Sequence, residues 1–106
     1  MSQKESDWKI FREIVPNLRE RYLERINKTI IAILAEEQKT STERFWSASD
    51  EINKEANILR FCFDGHSRSK MEGFLFVMYN KGVLTDDDFA QFSEDLRNRL
   101  SAKPSY

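Results

Sequence analysis

The stretch NLRERYLERINKTIIAILAEE, residues 17–37, decides the fold class of this chain. Leu18, Tyr22, Ile26, Ile30, Ile33 and Leu34 recur at three- and four-residue intervals and so share one face of a helix. Between them stand Arg19, Glu20, Arg21, Glu24, Arg25 and Lys28, with Glu24 and Lys28 spaced for an i,i+4 ion pair. A helix over this stretch is on the order of 30 Å long.

Working upstream, Pro16 ends a preceding element or begins this helix, since proline suits a first helical turn and disrupts an interior. Before it, Trp8, Phe11, Ile14 and Val15 fall near helical spacing, with Ser6 or Asp7 as a cap. Downstream, Gln38–Ser41 is a polar break, and Thr40 with Glu43 fits a capping box for a third helix. Its apolar face reads Phe45, Ser49, Ile52, Ala56, Leu59 and Phe63, with Asp50 and Lys54 another i,i+4 pair; Asp64-Gly65 closes it. Ser67 is positioned to cap a fourth helix over residues 68–81, which Gly82 ends. Thr85 then caps a fifth, with Asp86, Asp87 and Asp88 where the helix dipole favours negative charge. Leu84 and Phe89 have the spacing of a hydrophobic staple. Phe89, Phe92, Leu96 and Leu100 carry the fifth face on, and Arg97 and Arg99 lie near its end.

Short connections between the last four helices predict antiparallel neighbours. The expected fold is all-α: an up-down antiparallel four-helix bundle with a short additional N-terminal helix. The chain of 106 residues fits a single domain, residues 1–106, with polar ends at 1–5 and 101–106 expected to be loose. Only three Gly and two Pro argue against a turn-rich β-fold. Eight Phe, three Tyr and two Trp within 40% hydrophobic residues supply a core, and 33% charged residues supply a solvated surface.

Seventeen basic against eighteen acidic residues give a net charge of -1. That balance lacks the basic excess of a nucleic-acid module, so nucleic acid is a disfavoured partner. The apolar run Phe74–Tyr79 is far too short to span a bilayer, and the mixed-charge start shows no signal peptide. A single cysteine, Cys62, excludes an internal disulfide framework. The expected location is the cytoplasm, with no membrane association.

Two segments exceed the one-face rule: Ile58-Leu59-Arg60-Phe61-Cys62-Phe63 and Phe74-Leu75-Phe76-Val77-Met78-Tyr79. A helix apolar most of the way round needs cover on more than one side. Either the fourth helix is central in the bundle, or Trp46, Phe61, Phe63, Phe74, Phe76 and Tyr79 form an interface for a second copy or another protein.

Signals of chemistry are sparse. One Cys and one His make no usual metal set, and the Asp86–Asp88 triplet lacks calcium-loop spacing. No phosphate loop or nucleophile elbow appears, and no cofactor is implied. Cys62 beside His66 could suggest a thiol nucleophile, but its apolar surroundings favour an inert core cysteine. Arg60, His66, Ser67, Arg68 and Lys70 gather near the start of the fourth helix. Cations there oppose the dipole while backbone N–H groups favour anions, so a phosphate, carboxylate or acidic partner would suit both. His66 could instead cap the helix or respond to pH. The spacing of Arg60 and His66 also resembles the catalytic motif of HEPN-type helical ribonucleases, which implies RNA cleavage. Phe61 stands where that family carries a polar residue, and Asp64-Gly65 separates the pair.

Val15-Pro16-Asn17-Leu18-Arg19-Glu20-Arg21-Tyr22, Thr42-Glu43-Arg44-Phe45-Trp46 and Asp64-Gly65-His66-Ser67-Arg68-Ser69-Lys70-Met71 together resemble small all-helical bacterial proteins of the kind carried on integron gene cassettes. The resemblance covers most of the chain and implies a compact helical fold, a cytoplasmic location and self-association; it names no substrate. The leading expectation is a non-enzymatic helical interaction protein that forms a homodimer. An anion- or RNA-binding or RNA-cleaving domain is the alternative, and a toxin, antitoxin or immunity role fits the size.

Overall fold

A computed structural model describes residues 3–101, with side chains from residue 4 onward. The ends at residues 1–2 and 102–106 lie outside the described residues, while Lys4, Glu5 and Ser101, expected to be loose, are helical. Every regular element described is a helix. In chain order these are α1 (Gln3–Leu34), α2 (Ser41–Phe63), a 3₁₀ turn (Arg68–Lys70), α3 (Met71–Asn80), α4 (Asp86–Phe89) and α5 (Glu94–Ser101).

Pro16 neither ends nor begins a helix. The short leading helix and the long second helix are one helix of 32 residues that runs through the proline. An interior proline costs about 3 kcal/mol through a lost hydrogen bond and a clash one turn back. Pro16 stands on the solvent side, so the orphaned carbonyl of Arg12 can meet water. On the opposite side Phe11, Val15, Leu18 and Tyr22 straddle it and are all buried. Each such burial is worth roughly 1.5–3 kcal/mol, so packing outweighs the break.

The expected fifth helix is two helices. Thr85 forms the expected capping box with Asp88, but α4 stops after one turn. Ser93 starts a new helix, its Oγ accepting from the Leu96 N–H at 3.2 Å. Ser93 is held from α1: Asp7 accepts from its backbone N–H at 2.8 Å and from its hydroxyl at 2.7 Å. Asp7 is 3% exposed. It is therefore not the cap of a leading helix but a buried anchor for α5.

At the fourth helix Ser67 makes no side-chain cap, residues 68–70 form the 3₁₀ turn and α3 begins only at Met71, whereas the remaining stops and starts match the sequence reading. Thr40 and Glu43 form the capping box of α2. Gly65 and Gly82 take φ of 79° and 76° after α2 and α3, a backbone conformation other residues adopt only under strain.

α1 and α2 lie antiparallel. α3, α4 and α5 pack beside the N-terminal part of α1, where Arg21 donates to the Val83 carbonyl at 3.1 Å and pairs with Asp88. Phe11, Leu18, Cys62, Leu75, Met78, Val83 and Leu96 are fully buried there. Buried α1 residues stop at Ile26, and α3 and α5, of 10 and 8 residues, are too short to flank the 32-residue α1. In place of four matched helices there is a packed base from which the rest of α1 and the start of α2 project as a two-helix arm. The described chain measures 57 × 25 × 22 Å.

Candidate interaction surface

The arm is set by how α2 meets α1. The buried residues of α2 are Ala48, Glu55 and Cys62. They form a stripe about 80° round the helix from the apolar stripe Phe45, Ser49, Ile52, Ala56, Leu59 and Phe63. The sequence reading put that whole second stripe in the core; the structure packs Leu59 and Phe63 against it, half-buries Ser49 and Ala56, and leaves Phe45 and Ile52 exposed. Ala48 is small and lets the backbones approach. Glu55 accepts a hydrogen bond from the Tyr22 hydroxyl at 2.5 Å inside the seam. Burial, reinforced by this bond, pushes the Tyr22 hydroxyl up to about 12. A satisfied polar pair between helices favours one register over its neighbours.

With α2 turned this way, apolar side chains remain uncovered at the arm. Ile31 is 65% exposed, Phe45 60% and Trp46 59%, and Leu34 and Ile52 are about half exposed. Helix geometry places Leu23, Ile30 and Leu34 of α1 beside Phe45, Ser49, Ile52 and Ala56 of α2 on one broad face. Ile31 and Trp46 stand at its outer edges, Trp46 edge-to-face with Phe45 at 5.0 Å. Arg19, whose guanidinium lies 5.8 Å from the Phe63 ring centre, marks the base end of the face. Arg21 and Arg25 project from the other flank of α1, toward Asp88 and Gly82. The bare face thus points away from α3, α4 and α5.

Charge follows the same division. From Thr42 to Leu59 the outward side of α2 carries Phe45, Trp46, Ser49, Ile52, Asn53, Ala56 and Asn57, none of them charged. Glu43, Arg44, Asp50, Glu51, Lys54 and Glu55 occupy the rest of the helix. Depletion of charge around exposed aromatic residues is the compositional mark of an interface centre. This was the readable signal: an apolar stripe whose neighbours on one side are Asn, Ser and Thr rather than Lys and Glu.

The interface candidates drawn from sequence divide. Trp46 belongs to the bare face. Phe63, Phe74 and Phe76 are half-buried against the core. Phe61, 61% exposed, lines a shallow hollow with Ser69, Lys70, Gly73, Phe74 and Val77 at the base. Tyr79 donates to Asp86 at 2.6 Å, a bond that raises its pKa, and borders a cleft of about 310 Å³ with Phe76, Phe89 and Leu100.

The basic candidates do not converge. Arg60 donates to the Asn57 side chain at 2.9 Å and is exposed on α2. The His66 Nε2–H donates to the Cys62 carbonyl at 2.7 Å, capping the end of α2, and the ring sits among Phe11, Phe63 and Phe74. Arg68 bonds Glu5 at 3.0 Å and lies over Trp8. The Ser67 and Ser69 hydroxyls are 3.3 Å apart, and Lys70 is exposed. Burial pushes the Cys62 thiol up to about 11, which keeps it protonated and poorly nucleophilic. Among the described residues no three His, Cys, Asp or Glu side chains gather as a metal set, and no helix is long and apolar enough to cross a membrane.

Searches against protein-family models, curated proteins and solved structures found no match.

Proposed function

We propose that this protein is a non-enzymatic helical interaction domain of the cytoplasm whose working surface is the bare face of the α1–α2 arm. The observation that carries this reading is the group Ile31, Leu34, Phe45, Trp46 and Ile52, all exposed on a part of the molecule that the packed base does not reach. These residues are among the most costly to leave in water, and each keeps about half or more of its surface exposed. Trp and Phe with an apolar surround are also the residue types that concentrate binding energy in interfaces.

The test is a triple substitution, Phe45→Ser, Trp46→Ser and Ile52→Ser. On this reading helix content is retained and the unfolding free energy falls by no more than about 1 kcal/mol per site, well below the cost at a fully buried residue, because each side chain keeps about half or more of its surface in water. Helix content is read by circular dichroism and stability by urea titration. Collapse of the fold would show that these side chains are core, and the reading would fall with it.

A further inference from the structure

We infer that the hollow between α2 and α3 at the base is a docking site for a helix of a partner protein. That helix sets a large apolar side chain over Gly73 and a carboxylate, one turn away, on Lys70. The hollow lies apart from the arm and does not depend on it.

Gly65 and Gly82 have a conformational reason to be glycine, their positive φ at helix ends. Gly73 has none. It is the third residue of α3, its φ is not positive, and a Cβ built on it would meet nothing within 4 Å. Glu or Gln at that position helps to cap a helix, whereas glycine is the poorest helix former after proline. The packing of this chain therefore does not ask for a glycine there. A bare Cα supplies room for another chain to come close. The room has apolar walls: Phe61 stands 61% exposed on α2, and Phe74 and Val77 of α3 are half-buried beside it. The hollow holds about 350 Å³.

Charge names the rest of the partner. Lys70 lines the hollow next to Gly73 and makes no ion pair among the described residues. The acids flanking this end are engaged elsewhere, Glu5 with Arg68 and Glu72 with Arg99. Asp64 lies about one turn past Phe61, on the flank of α2 opposite to buried Cys62, and does not line the hollow. The start of α3 adds the positive end of its dipole, and neither Ser67 nor Lys70 caps it with a side chain. A carboxylate brought to Lys70 is attracted by both.

The fold selects the mode of docking. An extended peptide would need an open sheet edge, and the described residues form none, so a helix in a groove is the mode this base offers. A bilayer presents a flat anionic surface, whereas this site is concave and a single lysine lines it.

The experiment is an amide-resolved NMR titration of the full isotope-labelled chain. The probe is a capped, alanine-based helical peptide of about 18 residues with Glu, Phe and Leu on successive turns of one face. Shifts centred on Phe61, Gly73 and Val77 should saturate with a Kd on the order of 100 µM, as suits a small surface. Gly73→Leu fills the hollow without entering the core and should weaken binding at least about tenfold. Lys70→Glu should weaken it roughly fivefold, and a peptide with Lys in place of Glu should prefer that variant to the parent. Gly73→Ala should raise the urea midpoint of the free protein. A lowered midpoint would show that the fold demands the glycine and would overturn the inference. No shifts at millimolar peptide, equal affinity for the Glu and Lys peptides, or shifts centred on Trp46 and Ile52 would overturn it as well. Sedimentation with phosphatidylserine vesicles, abolished by Lys70→Glu and without peptide binding, would make the occupant a lipid surface and exclude the helix. The triple Ser variant of the arm, once folded, should bind the peptide as the parent does; loss of binding there would place the site on the arm instead.

Discussion

The base and the tip of α1 carry the same kinds of side chain and meet different fates. Phe11, Val15, Leu18 and Tyr22 are buried between α2 and the C-terminal helices, whereas Ile31 and Leu34, three turns on, are exposed. Ile31 is out of phase with the buried set, about 180° round the helix from Tyr22, but Ile33, in phase with it, is also no more than half-buried. The difference is made 50 residues later, where α3 and α5 end after 10 and 8 residues. Apolar periodicity thus states that a face needs cover and leaves open whose chain supplies it.

Substitutions at the base should cost the most. Leu75 has no exposed surface, and Leu75→Ala should cost about 3–5 kcal/mol of unfolding free energy through lost transfer energy and a residual cavity. Ile31→Ala should cost less than about 1 kcal/mol, measured by urea titration on dilute protein. Equal costs would erase the distinction between base and arm.

Asp7→Ala comes next, at about 2–3 kcal/mol. It leaves the Ser93 N–H and hydroxyl buried without their acceptor and frees the start of α5 from α1. Hydrogen exchange should quicken over α5 and leave the arm unchanged. Pro16→Ala should act in the opposite direction, raising stability by about 1–2 kcal/mol, since it restores an N–H donor to the Arg12 carbonyl on an exposed flank.

These residues also show how far the sequence could be read. Thr40-Glu43, Thr85-Asp88, Gly65 and Gly82 act through neighbours within a few positions, and each was legible. Pro16 misled because a local rule met burial on both sides of it. Asp7 misled because its partner lies 86 residues away. The face of α2 was misjudged by about 80° because Ala48, Glu55 and Cys62 do not look like a core stripe. Their burial depends on a small residue admitting α1 and on Tyr22 reaching Glu55. The basic cluster looked like a site in one dimension, yet His66, Arg60 and Arg68 each turn to a different partner.

The pair of Tyr22 and Glu55 stands where base becomes arm, and alkali tests it. The Tyr22 hydroxyl is pushed up from 10 to about 12, so the folded state keeps its proton longer than the unfolded chain. The stabilisation is complete below pH 10 and is lost as pH rises through about 12. Tyr22→Phe should remove this part of the alkaline loss while lowering stability at neutral pH, because Glu55 is left buried without its donor. Ultraviolet titration of tyrosinate against the unfolding midpoint measures both.

The smallest expected effect lies in acid, at the clasp between α1 and α4. Burial alone would raise the Asp88 carboxyl, but hydrogen bonds from Arg21 and from the Thr85 backbone and hydroxyl, with the Arg21 charge, outweigh it and hold Asp88 low. A depressed carboxyl contributes stability above its unfolded value and loses it as pH falls through the folded one. The loss therefore falls below about pH 4. Arg21 is half exposed, so solvent and salt screen the pair, and its contribution should stay below about 1 kcal/mol. Arg21→Ala should flatten the acid limb of stability against pH, and about 0.5 M salt should flatten the same limb in the parent. Because this clasp joins base elements only, association through the arm face should not follow it. If association weakens together with the Arg21 pair, α4 takes part in the interface and the arm is not the whole docking surface.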